Sequence, residues 1–195
     1  MYDMKRRLLY LLVAGLFLFI VTPLHAQRWG VKTNVLYDAT STINLGVEVG
    51  LAPKWTLDVS GNYNPWTFSD YKKLKHWMLQ PEGRYWLCER FNGHFFGLHA
   101  LGGEFNLSNL DLPFGTFSAL ENSRAQGWFA GGGVGYGYHW ILGNHWSLEA
   151  ELGVGFIHAN YKRYECEHCG ELLGRAHKNY LGVTKAAISI IYIIK

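Results

Sequence analysis

Between residues 42 and 51 the chain reads Thr-Ile-Asn-Leu-Gly-Val-Glu-Val-Gly-Leu. Ile43, Leu45, Val47, Val49 and Leu51 alternate with Asn44, Gly46, Glu48 and Gly50. A period of two gives an extended strand with one apolar face and one polar or bare face. The same alternation recurs along the chain. It predicts eight strands, over about 29–37, 42–51, 55–63, 75–87, 94–105, 128–142, 146–157 and 180–194. The facing of the fifth stays open, because both of its faces carry apolar residues. Pro81 lies inside the fourth, where the missing ladder donor predicts a bulge.

The connections fall into two classes. Residues 52–54, 88–93 and 143–145 make short turns, whereas 64–74, 106–126 and 158–179 are long. Short and long alternate, except that the first connection on the long side, 38–41, is also short. Trp55, Trp86, Trp140 and Trp146 fall beside the short turns; Tyr37, Tyr63, Trp66, Trp77 and Trp128 fall near the long ones. Two aromatic girdles, an even strand number and alternating turn lengths predict an all-β fold, an eight-stranded antiparallel up-and-down transmembrane β-barrel.

The N-terminus supports an envelope destination. Lys5, Arg6 and Arg7 precede an apolar run over 8–21, Pro23 breaks it, and Leu24-His25-Ala26 resembles a cleavage site. This predicts a signal peptide over 1–26 and one domain over 27–195. The leader carries most of the chain's net charge of +3. With no basic patch in the remainder, nucleic acid is excluded as a partner. Membrane lipid is the expected one. The 23 glycines, 12 tyrosines and 8 tryptophans fit a small barrel with aromatic rims.

A barrel of eight strands is just wide enough for side chains to fill. The inward faces predict a charge network across the interior: Lys32, Glu48, Asp58, Glu82, Arg84, His139, Glu149, Glu151 and Lys185, joined by Asn34 and Asn44. Buried charges are tolerated when paired. Arg84 and Lys185 are the expected cationic centres, with the glycines of strand six leaving room opposite. The result is a polar plug without an open pore.

Other groups carry chemistry less clearly. Cys166-Glu167-His168-Cys169 lies in the last long connection, flanked by His158 and His177. It can close a disulfide, stay as free thiols, or hold a metal such as zinc; a disulfide or free thiols is the preferred reading. No cofactor is called for. His145-Trp146-Ser147 has the His-x-Ser spacing of a lipid hydrolase but sits at the short-turn end, where a turn histidine and an inward serine are expected instead. The connection 106–126 holds Leu107, Leu110, Leu112, Phe114, Phe117 and Leu120, which suits packing across the mouth or contact with a partner.

The chain resembles a family of small, uncharacterised outer-membrane barrels common in Bacteroidota. The resemblance rests on Lys32-Thr33-Asn34, Asn44-Leu45-Gly46-Val47-Glu48, Tyr63-Asn64-Pro65-Trp66 and Gln80-Pro81-Glu82-Gly83-Arg84-Tyr85-Trp86. It continues through Tyr164-Glu165-Cys166-Glu167-His168-Cys169-Gly170 and Thr184-Lys185-Ala186. It implies an eight-stranded barrel with no assigned activity, and an accessory or anchoring role beside surface or fimbrial proteins. A lipid-modifying enzyme, or a metal or small-ligand binder built on 158–179, is the alternative.

Overall fold

The computed structural model describes residues 28–67, 73–108, 124–164 and 171–194. Eight strands follow in order: β1 (Trp29–Asn34), β2 (Ile43–Ala52), β3 (Trp55–Asn64), β4 (Lys73–Trp86), β5 (Gly93–Ser108), β6 (Arg124–Ile141), β7 (Trp146–Tyr164) and β8 (Leu172–Ile194). A short helix, α1 (Val35–Ala39), links β1 to β2. Every strand pairs antiparallel with its chain neighbours. β1 also pairs with β8, from Trp29↔Ile194 to Asn34↔Ser189, so the sheet closes on itself. The connections 53–54, 87–92 and 142–145 lie at one end of the ring, the turn end; α1 lies at the other, the loop end.

The boundaries differ from the sequence reading in three places, each with a physical reason. First, β1 stops at Asn34 instead of running to 37. The Asn34 side chain accepts a hydrogen bond from Leu36 N at 3.1 Å and caps α1, so local capping overrides the alternation of Val35 and Tyr37. Second, β6, β7 and β8 reach further toward the loop end than expected. Past Trp128 the pattern inverts: Glu104, Gln126, Asn160, Lys162 and Arg175 face out, while Phe105, Leu107 and Ala125 are buried inside. An outward apolar stripe therefore ends before the strands do.

Third, Pro81 makes no bulge. Its pairing with β3 is regular at Val59↔Pro81. Pairing with β5 breaks off after Leu79↔Gly102 and resumes in the same register at Glu82↔His99. The missing N–H is absorbed by a gap in the ladder. The register shifts lie elsewhere: between Gly50 and Ala52 in β2–β3, and between Gly153 and Val154 and between Arg163 and Tyr164 in β7–β8.

The interior is stacked in three layers. At the turn end Trp86, Phe91, Phe95, Ile191 and Ile193 form an apolar floor. A layer of charges comes next. At the loop end Phe105, Leu107 and Ala125 pack with Leu74, Phe129, Ala159 and Tyr161. Glycine sets how closely the walls approach: a Cβ on Gly137 would lie 2.3 Å from Phe95 Cζ and 2.9 Å from the Ala150 carbonyl oxygen.

Phe91 is the cork of the floor. It belongs to the 87–92 connection, yet it is 3% exposed and packs on Trp86 with ring centroids 6.0 Å apart. To reach inward it adopts φ +61, a left-handed conformation costly for a side chain of this size. Phe91→Ala is expected to cost about 3 kcal/mol of stability, mostly lost burial. Phe91→Gly is expected to be no worse than Phe91→Ala, because glycine takes this φ freely. Urea unfolding of the three proteins checks both; a glycine variant clearly less stable than the alanine one contradicts the strain.

Candidate functional site

The charged layer follows from strand register. Glu48, Asp58 and Glu82 are direct cross-strand partners on β2, β3 and β4. Three carboxylates side by side repel unless a cation sits among them. Arg84, two residues from Glu82 on the same inward face, is that cation. Its Nε donates to Glu82 at 2.7 Å, Nη1 to Glu48 at 2.8 Å and Glu149 at 2.9 Å, and Nη2 to Glu151 at 2.7 Å; Asp58 Oδ2 lies 3.5 Å from Nη2. One guanidinium thus touches all five carboxylates of the layer. Its planar fork of five donors suits this task as an ammonium could not. The Phe95 ring lies beneath it, 4.5 Å from the guanidinium carbon to the centroid.

Two lysines complete the layer. Lys32 Nζ reaches Glu48 and Asp58 at 3.1 Å each and Glu149 at 3.4 Å. Lys185 Nζ bonds Glu82, and lies 3.1 Å from Glu151 and 3.8 Å from Asp58. The cationic centres are therefore Arg84, Lys32 and Lys185, with Lys32 as important a hub as Lys185. Thr56 donates to Glu48 at 2.5 Å and accepts from Trp86 Nε1 at 2.9 Å, which ties the floor to the charges. The side chains of the layer are all at most 9% exposed. The space left among them is a cavity of about 30 Å3, on the scale of roughly one water.

Of the residues expected from the sequence, Lys32, Glu48, Asp58, Glu82, Arg84, Glu149, Glu151 and Lys185 meet in this layer. His139 sits one step toward the floor, its Nδ1 3.5 Å from Glu149 and its ring edge-on to Trp86. Asn34 and Asn44 stay apart, bonding each other, α1 and Asp38 near the loop end. His99 was not anticipated: it faces inward from β5, with Nδ1 3.8 Å from Glu82 and Nε2 2.9 Å from Thr184 Oγ1. Its signal was hidden because β5 is apolar on both faces, with Phe95 and Leu101 inside and Phe96 and Leu98 outside.

The remaining chemistry-bearing groups fall elsewhere. His145 Nδ1 donates to the Ile193 carbonyl at 3.0 Å, while Ser147 points into the interior and is buried. His158 and His177 stand on neighbouring strands with ring centroids 6.4 Å apart. Cys166, His168 and Cys169 lie outside the described residues, as do the leader and most of 106–126. Cys88 is an exposed free thiol in the 87–92 connection. Among the described residues no three His, Cys, Asp or Glu side chains are arranged to hold a metal ion.

The layer predicts a steep response to Arg84. Arg84→Met strands five carboxylates beside two lysines and is expected to cost about 3–5 kcal/mol, the scale for breaking a buried ion pair. Acidification, which neutralises carboxylates, is expected to recover part of the loss. Glu48→Gln keeps a hydrogen-bonding group and is expected to cost less. Urea unfolding at neutral and acid pH measures all three; an Arg84→Met protein within about 1 kcal/mol of the parent contradicts the hub.

The geometry is that of a packed interior, and it does not by itself name a reaction. No curated protein matches the chain. A family model with the description "Protein of unknown function (DUF3575)" matches residues 11–194, and the chain belongs to that family.

Proposed function

We propose that this protein is an integral outer-membrane β-barrel of structural or accessory type, which crosses the membrane without an open pore and holds its loop-end rim out to a surface partner, fimbrial components among them. The observation that carries this reading is the polarity of the outer wall. Leu45, Leu57, Leu79, Leu98, Val134, Leu152 and Leu181 all face outward and are exposed, Leu98 at 70% and Leu181 at 82%. This band is bounded by Trp29, Trp55, Tyr85, Trp140, Trp146 and Tyr192 at the turn end and by Tyr63, Trp66, Trp77 and Trp128 at the loop end. An apolar wall between aromatic rims around charged contents has the polarity that lipid selects and water does not.

The length agrees. Spanning needs about 9–11 tilted residues per strand, and the aromatic rims on β4 lie at Trp77 and Tyr85, whereas Trp86, expected in the rim from the sequence, turns inward into the floor because its position shares the inner face with Arg84. Beyond the loop-end rim the outward side chains turn polar, which suits strands that leave the membrane and continue into water. Trp77 Nε1 donates to Glu104 at 3.1 Å at that boundary. The basic leader supports export, and the floor and ion layer leave no channel among the described residues. These features favour anchoring and presentation over transport.

Two measurements test the reading. Detergent-extracted protein is expected to migrate differently on a gel before and after boiling, and to give no steady conductance in a planar bilayer. A single unshifted band, or an open channel, overturns it. The second test uses depth: Leu98→Arg at mid-wall is expected to cost about 2–4 kcal/mol in lipid, and Asn106→Arg beyond the rim close to nothing. Equal costs at the two positions contradict the membrane placement.

A further inference from the structure

The loop end carries an open cleft of about 740 Å3, a volume in the range of ligand sites. Its charged and aromatic lining comes from two cross-strand rows on the outer face. In the first, Trp77, Glu104 and Trp128 are successive partners on β4, β5 and β6. The second lies one step nearer the loop end. It runs from Lys75 on β4 through Asn106 and Gln126 to Lys162 on β7 and Arg175 on β8. Trp77 and Trp128 also belong to the aromatic rim, so the cleft begins where the apolar wall ends.

Lys162 and Arg175 stand directly opposite each other across β7 and β8, and both are exposed. Like charges in that position destabilise a sheet. Among the described residues neither has a carboxylate partner, and neither does Lys75. An anion between them turns the repulsion into attraction, and the guanidinium fork suits phosphate. The carboxylate of the cleft, Glu104, is already held by Trp77 Nε1 at 3.1 Å. Arg124 donates to Asn106 Oδ1 at 3.0 Å and to Gln126 Oε1 at 2.8 Å, which leaves both amide nitrogens to donate to a ligand. Trp77 and Trp128 are 46% and 48% exposed. A flat indole face takes the C–H face of a sugar ring, whose hydroxyls then need polar partners such as these amides. From Lys75 to Lys162 is three strand spacings, roughly 14 Å.

We propose that this cleft seats the phosphorylated disaccharide head of a glycolipid in the surrounding leaflet, one phosphate between Lys162 and Arg175, the other at Lys75, and the sugars between them on the Trp77–Trp128 side. The inference rests on the membrane placement proposed above, which sets the cleft at head-group level and lays the lipid's acyl chains along the apolar wall. Binding is non-covalent: the cations select phosphate, and the indoles and amides select sugar over a simple phospholipid head.

The test is native mass spectrometry of the full chain released from phosphatidylcholine nanodiscs that contain bisphosphorylated lipid A, its phosphate-free form, or phosphatidylglycerol at the same mole fraction. One bisphosphorylated lipid A per chain is expected, with the other two lipids retained about tenfold less well. Replacing Lys162→Gln and Arg175→Gln together is expected to lower retention of the bisphosphorylated lipid about tenfold and leave the phosphate-free form unchanged. Trp128→Leu is expected to weaken both glycolipids and leave phosphatidylglycerol unchanged. Arg28→Gln, which removes a cation at the turn end, is expected to change nothing. Undiminished retention in the Lys162/Arg175 double variant, or an equal loss in Arg28→Gln, overturns the site. Equal retention of the phosphate-free form overturns the phosphate clamp, and equal retention of phosphatidylglycerol overturns the sugar contact. Release of the lipid by an equal concentration of inorganic phosphate marks a free-phosphate site and overturns the glycolipid. Heat-modifiability of each protein reads the barrel separately. A heat-shifted barrel that retains no glycolipid overturns this seat and leaves the anchoring reading standing; an unshifted chain overturns both.

Discussion

Arg84 is the interaction on which the rest of the interior depends. Closing eight strands brings inward faces within side-chain reach of one another. Here closure sets Glu48, Asp58 and Glu82 in one cross-strand row and places Glu149 and Glu151 within reach from β7. Five carboxylates in a dry space would drive the sheet apart. A single guanidinium reaches them together because its five donors point outward in a plane, with hydrogen bonds to four and Asp58 at 3.5 Å, and Lys32 and Lys185 brace it from β1 and β8. The ion layer thus ties both sides of the β1–β8 seam to the middle of the sheet. Ion pairs of this kind add little net stability over an apolar core. Their effect is specificity: each carboxylate has a position only if the register is right.

The neighbours of Arg84 make sense in the same terms. Phe95 supports the guanidinium from below, and Gly137 is bare so that Phe95 can fit. Trp86 and Thr56 pass hydrogen bonds up to Glu48. Phe91 accepts an unfavourable backbone angle to close the floor. The layer also divides the interior. Toward the turn end lies the apolar floor, and toward the loop end the apolar cluster of Phe105, Leu107 and Ala125. A wall that is apolar around this layer and polar around the loop-end cluster gives one chain two environments along its own axis.

The parts of this arrangement that could be read from the sequence share a property. Lys32, Glu48, Asp58, Arg84 and Glu149 sit opposite apolar neighbours, so a period of two assigns them to the interior directly. Where both faces are apolar the alternation is silent. The sequence is silent on His99 for that reason, and on the facing of Phe95 and Leu101. The loop-end halves of β6, β7 and β8 look like connections in the sequence because their polarity is reversed there. Phe91 carries no local signal at all, since a phenylalanine in a turn is ordinarily a surface residue.

The sequence by itself determined that the chain is built of alternating strands, how many there are, and which charges face inward, because side-chain direction in a strand depends only on position along it. It could not determine which of those charges touch. That Arg84 reaches five carboxylates, that Lys32 is a hub equal to Lys185, and that a turn residue seals the floor all depend on register and closure across the ring. Those are properties of distances between strands far apart in the chain, and only the tertiary structure sets them.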